Sequence, residues 1–305
     1  MSTTQFRAKQ APNFIILILY ITTGSLGNLG AIDILAPQWI YLGAVNILAC
    51  LYFLFFNSSA QVGLSKLSKS IFIYVYLFYF LWSGLSYFYA INPTETLLNL
   101  PRLGNTFFAV FFCFLLLNNL ENKVVLISRI FIGFLCFELL SFYSDFFTQL
   151  ETKDFNAMNL KGVAGNKNIT AASIAFKVPF VLYSIVTVRK GLLKIILSLI
   201  LFAALFSISV LYARAAILSS FIVFIIFLSY SLYNLVINRS NLVKGLPNFL
   251  LTIVPYVAAI LLNLAFTSSQ NKGDITSQLG DIEFTEQSSN GRFQYWSDAF
   301  EHIQD

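Results

Sequence analysis

The stretch 192–211, LLKIILSLILFAALFSISVL, carries a single charge in its whole length. As a helix rising 1.5 Å per residue, a run of about 20 such residues crosses the hydrocarbon core of a bilayer. Several other runs in the chain have the same character. In lipid, every backbone N–H and C=O must find its partner within the protein, so only helices and closed barrels can span. Barrel strands alternate apolar and polar residues over about 10 positions, whereas these runs are continuous. Composition agrees: 57% of the chain is hydrophobic and only 11% is charged, with mean hydropathy +0.74, against about 25% charged in a soluble domain. The expected fold class is all-α, a polytopic transmembrane helix bundle.

Run length and loop chemistry place about nine spans, near 13–32, 37–56, 70–90, 102–118, 124–147, 168–188, 192–211, 214–236 and 249–267. Pro37 opens the second, Pro101 precedes the fourth and Pro247 precedes the ninth. Lysines and arginines set the orientation. With the N-terminus cytoplasmic, the inward side collects Arg7, Lys9, Lys66, Lys69, Lys123, Arg129, Arg189, Lys190, Lys194, Arg239 and Lys244. Asp33, Glu95, Glu151 and Asp154 fall in outward loops, and Glu121 is the one acid on the inward side. The chain thus divides into a transmembrane helical domain, 1–267, and the beginning of a periplasmic loop, 268–305. That loop carries Asp281, Glu283 and Glu286 and ends in an amphipathic stretch, GRFQYWSDAFEHIQD. The sequence stops inside this apparent helix, so a longer native chain is expected. Arg7 and Lys9 precede an apolar run with no small-residue cleavage site, which reads as an uncleaved first helix.

Cys50, Cys113 and Cys136 all lie within apolar runs and form no CxxC pair, so no disulfide framework is expected and they read as small lipid- or core-facing residues.

Charges inside spans are expensive and mark function by default. Glu138 lies deep in the fifth span and Lys177 deep in the sixth. The two spans are consecutive and antiparallel. Each charge falls about nine residues, roughly 14 Å, below the outer face. Equal depth predicts an intramembrane ion pair or a shared polar cavity, with a purely structural lock between two helices as the alternative. Pro179, two residues beyond the lysine, predicts a kink there.

Cations on the outer side are exceptions to the positive-inside rule, and four of them stand out by position: Arg102 at the head of the fourth span, Lys167 at the head of the sixth, Arg214 in the tight LYARAA turn, and Arg292 in the outer tail. A planar guanidinium suits bidentate phosphate binding; a side chain snorkelling at headgroup level is the plain alternative. Beside Lys167 the chain reads GVAGNKN. Asn166 or Asn168 can cap the sixth helix, and Gly165 permits a tight backbone. The exposed N–H groups of a helix start attract anions. Gly165, Asn166 and Asn168 therefore form a candidate anion seat, to which Lys167 adds charge.

GNKN before an apolar helix containing a proline, then an Arg-Ala turn, then an outer loop with Arg and Trp spaced as in GRFQYW, resembles the O-antigen ligase and polymerase superfamily. The resemblance runs from about residue 70 to the end. The chain departs from that pattern at Ala213, where the family usually has serine. The resemblance implies a glycosyltransferase moving a glycan from undecaprenyl pyrophosphate, at the periplasmic face of a bacterial inner membrane. The acceptor would be lipid A–core, a growing glycan or a protein. It assigns the donor pyrophosphate to Arg214 and Arg292; Arg102 and Lys167 join them by placement alone. It implies no cofactor and no metal, and the chain has no DxD-type motif. Expected partners are the lipid-linked oligosaccharide donor, a lipid or glycan acceptor and the bilayer, with no nucleic acid. The family's general base is a histidine further along the outer loop, expected beyond residue 305. His302, the one histidine of this sequence, is expected to be a surface position.

Two readings of another class stay open. A transporter or channel would line its path with Glu138 and Lys177, and inverted repeats would favour it, though none is visible. A non-catalytic membrane scaffold would leave the outer cations unexplained.

Overall fold

The computed structural model describes residues 3–26, 35–56, 65, 67–151, 159–237, 242–269 and 297. Among them all regular structure is helical. The helices are α1 (Thr3–Thr22), α2 (Ala36–Phe55), α3 (Ile71–Leu85), α4 (Pro93–Asn118), α5 (Lys123–Leu150), α6 (Lys167–Thr187), α7 (Gly191–Val210), α8 (Arg214–Ile237) and α9 (Leu242–Ser269). Among the described residues, eight helical segments from α2 onward, with α3 taken together with the 3-10 turn that continues it to Phe88, are long and apolar enough to cross a membrane, so the chain is a multi-pass membrane protein. Of the expected first span, residues 27–32 lie outside the described residues. Its apolar helical part is Gln10–Thr22, and the chain leaves α1 through a 3-10 turn, Thr23–Ser25, centred on Gly24.

Two helices start earlier than proline placement implied. α4 begins at Pro93, where a proline in the first turn gives up an N–H that has no helical partner anyway. It then continues through Pro101, so Arg102 lies nine residues inside it rather than at its head. α9 begins at Leu242 and contains both Pro247 and Pro255. An internal proline forfeits one helical hydrogen bond. Membrane helices tolerate this because neighbouring groups satisfy the freed carbonyl, so proline is a weak boundary marker here. Pro179 lies inside α6.

The chain forms two compact units, Met1–Ile130 with Val163–Gly165, and Phe131–Gly162 with Asn166–Asp305. In the first, α1, α2 and α3 each pack on α4. Lipid tails are as apolar as leucine, so helices associate through close packing and interhelical hydrogen bonds rather than through the hydrophobic effect. Both are present. Ala49 and Leu116 are fully buried, and Phe53 stacks on Phe112 with ring centroids 6.0 Å apart. Tyr20 Oη donates to Asn46 Oδ1 (2.8 Å), and Asn46 Nδ2 donates to Asn105 O (3.0 Å), tying α1, α2 and α4 together. α3 buries no residue, and side chains such as Phe72, 81% exposed, form an outward surface of the kind lipid covers.

The second unit is built around α7. α6 and α9 pack along it, and α8 packs on α6, α7 and α9. Ala171, Ala175 and Ala204 are buried at these contacts and let the backbones approach. α5 joins through large side chains: Phe131 stacks on Phe180 (4.5 Å), Phe146 meets Phe206 (5.9 Å) and Phe266 (5.6 Å), and Tyr143 Oη donates to Ala203 O (3.0 Å).

Candidate functional site

α6 starts as it does because Asn166 stops the chain from being helical one residue earlier. Its backbone is extended (φ −143°, ψ 125°), and its side-chain oxygen accepts from the N–H groups of Asn168 (2.9 Å) and Ile169 (3.4 Å). Of the two candidate caps, Asn166 is thus the one used, and Asn168 sits in the first turn. Two of the helix-start N–H groups, those of Asn168 and Ile169, are thus engaged by Asn166 itself, and Lys167 adds a formal positive charge beside them. Lys167 is half-buried, and its ammonium has no partner among the described residues.

The approach to α6 is held in place. Gly162 and Gly165 have φ of +54° and +68°, the left-handed region that favours glycine. A Cβ on Gly162 would lie 2.8 Å from Thr170 Cγ2. Thr170 Oγ1 donates back to Lys161 O (2.6 Å), and the Gly162 N–H donates to the Asp145 carboxylate on α5 (3.1 Å).

Arg214 opens α8 rather than lying in the turn before it. The preceding turn is Leu211–Ala213, with Tyr212 at φ +52°, uncommon for a bulky residue. The Leu211 N–H donates to Ser207 O (3.0 Å), which closes α7, and the Ile217 N–H donates to Ala213 O (3.0 Å), which opens α8. Ala213 carries no side-chain acceptor, so the first turn of α8 lacks the cap that Asn166 supplies to α6. The Arg214 side chain is exposed. Three-residue links, 188–190 and 211–213, join α6 to α7 and α7 to α8. Such short links make neighbours antiparallel, so α6 and α8, which also pack together, run parallel. Lys167 and Arg214 are therefore the first residues of two adjacent parallel helices. Each start carries the positive end of a helix dipole.

Glu138 and Lys177 form an ion pair within the helices. Lys177 Nζ lies 2.9 Å from Glu138 Oε1 and 2.9 Å from Oε2. It also donates to Ser173 Oγ (2.7 Å) and contacts Ser173 O (3.1 Å), while Ser173 Oγ donates to Glu138 Oε1 (2.8 Å). Glu138 is 5% exposed and Lys177 6%. Ser173, one helical turn before the lysine, closes the triangle.

Arg102 belongs to the first unit. Its Nη1 donates to Asn99 Oδ1 (3.4 Å), and its guanidinium lies 6.0 Å from the Trp39 ring centroid. Arg292 and His302 lie outside the described residues. Cys50, Cys113 and Cys136 are free thiols, and the described residues contain no group of three metal-ligating side chains. Sequence reasoning missed Asp145, Ser173 and Thr170. Asp145 and Ser173 each stand on the same helix as a member of the ion pair, at a spacing that places them on its face, and this periodicity could have suggested them.

No protein-family model, no curated protein and no solved structure matches the chain.

Proposed function

We propose that the protein is a membrane glycosyltransferase of the O-antigen ligase or polymerase kind. It would move a glycan from undecaprenyl pyrophosphate to a lipid, glycan or protein acceptor at the periplasmic face of a bacterial inner membrane. What supports this reading is that Lys167 and Arg214 are the first residues of two parallel helices that pack on each other. In the reaction an acceptor hydroxyl gives its proton to a general base as its oxygen attacks the anomeric carbon, the bond from that carbon to the pyrophosphate oxygen breaks, and undecaprenyl pyrophosphate leaves with the electron pair. Fixed positive groups aimed at the oxygens where this charge builds lower the barrier. Arg214 offers a planar fork for two phosphate oxygens and Lys167 a compact point charge.

The arrangement around Glu138 supports this reading over transport. Lys177 directs its donors to one carboxylate and one serine, which suits a lock between helices better than a path for solute.

The test is glycan transfer by the full chain, purified and reconstituted with lipid-linked donor and acceptor. Arg214→Ala is expected to lower kcat/KM by about 10- to 100-fold, the range for losing one charge-assisted hydrogen bond, with Arg214→Lys intermediate. Full activity in Arg214→Ala would remove the basis of the proposal.

A further inference from the structure

We propose that Glu138 and Asp145 form an acidic clasp on α5 that fixes the head of α6 and thereby positions Lys167 for a phosphate of the lipid-linked donor. This rests on the reading of the site given above. The two carboxylates are seven residues apart on one helix, two turns, and so share a face. Both reach toward the same stretch of chain. Asp145 accepts from the Gly162 N–H, five residues before Lys167, at 3.1 Å. Glu138 holds Lys177 and Ser173, on the second and third turns of α6, at 2.9 and 2.8 Å. Thr170 Oγ1, bonded to Lys161 O at 2.6 Å, ties the approach to α6 back onto the helix between these two grips. Lys167 lies between the two anchors and is itself without a partner among the described residues. The clasp thus sets the backbone from which the Lys167 side chain extends. Neither carboxylate touches the donor; both act through Lys167 as positioning residues.

The clasp also explains why α5 needs acids on a buried face. The neighbouring positions are apolar, with Leu135, Leu139, Phe142 and Phe146 all buried, and their contacts carry no hydrogen-bond direction of their own. Hydrogen bonds to a backbone N–H and to an ammonium fix both register and height.

The experiment is a double-mutant cycle with the full chain in membranes, measuring KM for the lipid-linked donor and kcat separately. Asp145→Ala is expected to raise donor KM roughly tenfold, about one net hydrogen bond, with kcat within about twofold. Asp145→Asn, which keeps an acceptor oxygen for Gly162, is expected to restore KM. The Asp145→Ala/Lys167→Ala double variant is expected to be no worse than Lys167→Ala alone, because the carboxylate acts through the lysine. Multiplying effects would mean that Asp145 works independently, and would overturn the proposal. So would an unchanged KM in Asp145→Ala.

A second measurement needs no donor. In a cysteine-free background, the rate at which Lys167→Cys reacts with a membrane-impermeant maleimide is expected to change severalfold on adding Asp145→Ala, and to return with Asp145→Asn. An unchanged rate refutes the clasp even if transfer is observed. A changed rate alongside a Lys167→Ala variant with normal donor KM refutes the phosphate role of Lys167 instead, which separates the two failures.

Discussion

Lys177 Nζ stands 2.9 Å from each carboxylate oxygen of Glu138, with 7% and 6% of the two side chains exposed. A buried pair of this kind is a poor stabiliser but a strong constraint, because removing one partner strands the other charge. Lys177→Met is therefore expected to destabilise the protein by about 3 kcal/mol or more. The double variant Glu138→Leu/Lys177→Met should recover most of that loss. Thermal unfolding in detergent, followed by size-exclusion recovery, reads both. A double variant as unstable as the single would show that the network around Ser173, rather than the stranded charge, dominates.

The pair was legible in the sequence for a physical reason. Charges in apolar runs stand out, and equal depth on consecutive antiparallel helices leaves few partners to choose from. The helices were legible on the same ground, since continuous apolar runs have one solution in lipid. What stayed hidden was each contact whose second partner is generic. Asp145 bonds a backbone N–H at Gly162, and no side chain announces that acceptor. Asn46 pairs with Tyr20 and Asn105 across three helices, but an isolated asparagine in an apolar run points to no particular residue. The early starts of α4 and α9 were hidden because Pro101 and Pro247 lie inside helices that tolerate them. At the head of α6 the sequence offers two asparagines as caps and does not distinguish them; that Asn166 accepts from Asn168 and Ile169 depends on its extended backbone, which only the fold sets.

The asparagine network makes its own prediction. Asn46→Leu leaves the Tyr20 hydroxyl and the Asn105 side chain without their buried partner. Interhelical hydrogen bonds in membranes contribute modestly, so a loss of about 1 kcal/mol is expected. Adding Tyr20→Phe should cost little more, since the hydroxyl it removes is already stranded. Thermal melts of the two single variants and the double test this. Additive losses would mean that Tyr20 finds another acceptor.

Gly162 and Gly165 should respond differently to alanine although both have positive φ. At Gly165 nothing lies within 4 Å of an added Cβ, so only backbone strain of about 1 kcal/mol is expected. At Gly162 the same strain is joined by a 2.8 Å approach to Thr170 Cγ2. Gly162→Ala should therefore be clearly the more damaging. Thr170→Ser removes that methyl while keeping the hydroxyl that donates to Lys161 O, so it should partly rescue Gly162→Ala and be near neutral alone. Melting temperatures of the four variants decide the matter; equal effects at the two glycines would show that the Thr170 contact relaxes away.

Asn166 offers the sharpest separation of stability from binding. Its side-chain oxygen caps α6 by accepting from Asn168 and Ile169. Asn166→Ala removes the cap and should cost about 1 kcal/mol, while releasing two N–H groups beside Lys167. Donor KM should therefore stay level or fall. Asn166→Asp keeps a capping oxygen and adds a negative charge at the positive end of the helix dipole, so stability should hold or rise slightly. The same carboxylate lies next to Lys167 and repels an incoming phosphate, so donor KM should rise severalfold, most at low salt where screening is weakest. The two substitutions should thus rank in opposite order for stability and for donor binding. Melting temperature and donor KM, measured on the same preparations at two ionic strengths, read both. If Asn166→Asp leaves KM unchanged at low salt, the head of α6 does not meet an anion, and the phosphate reading of Lys167 fails with it.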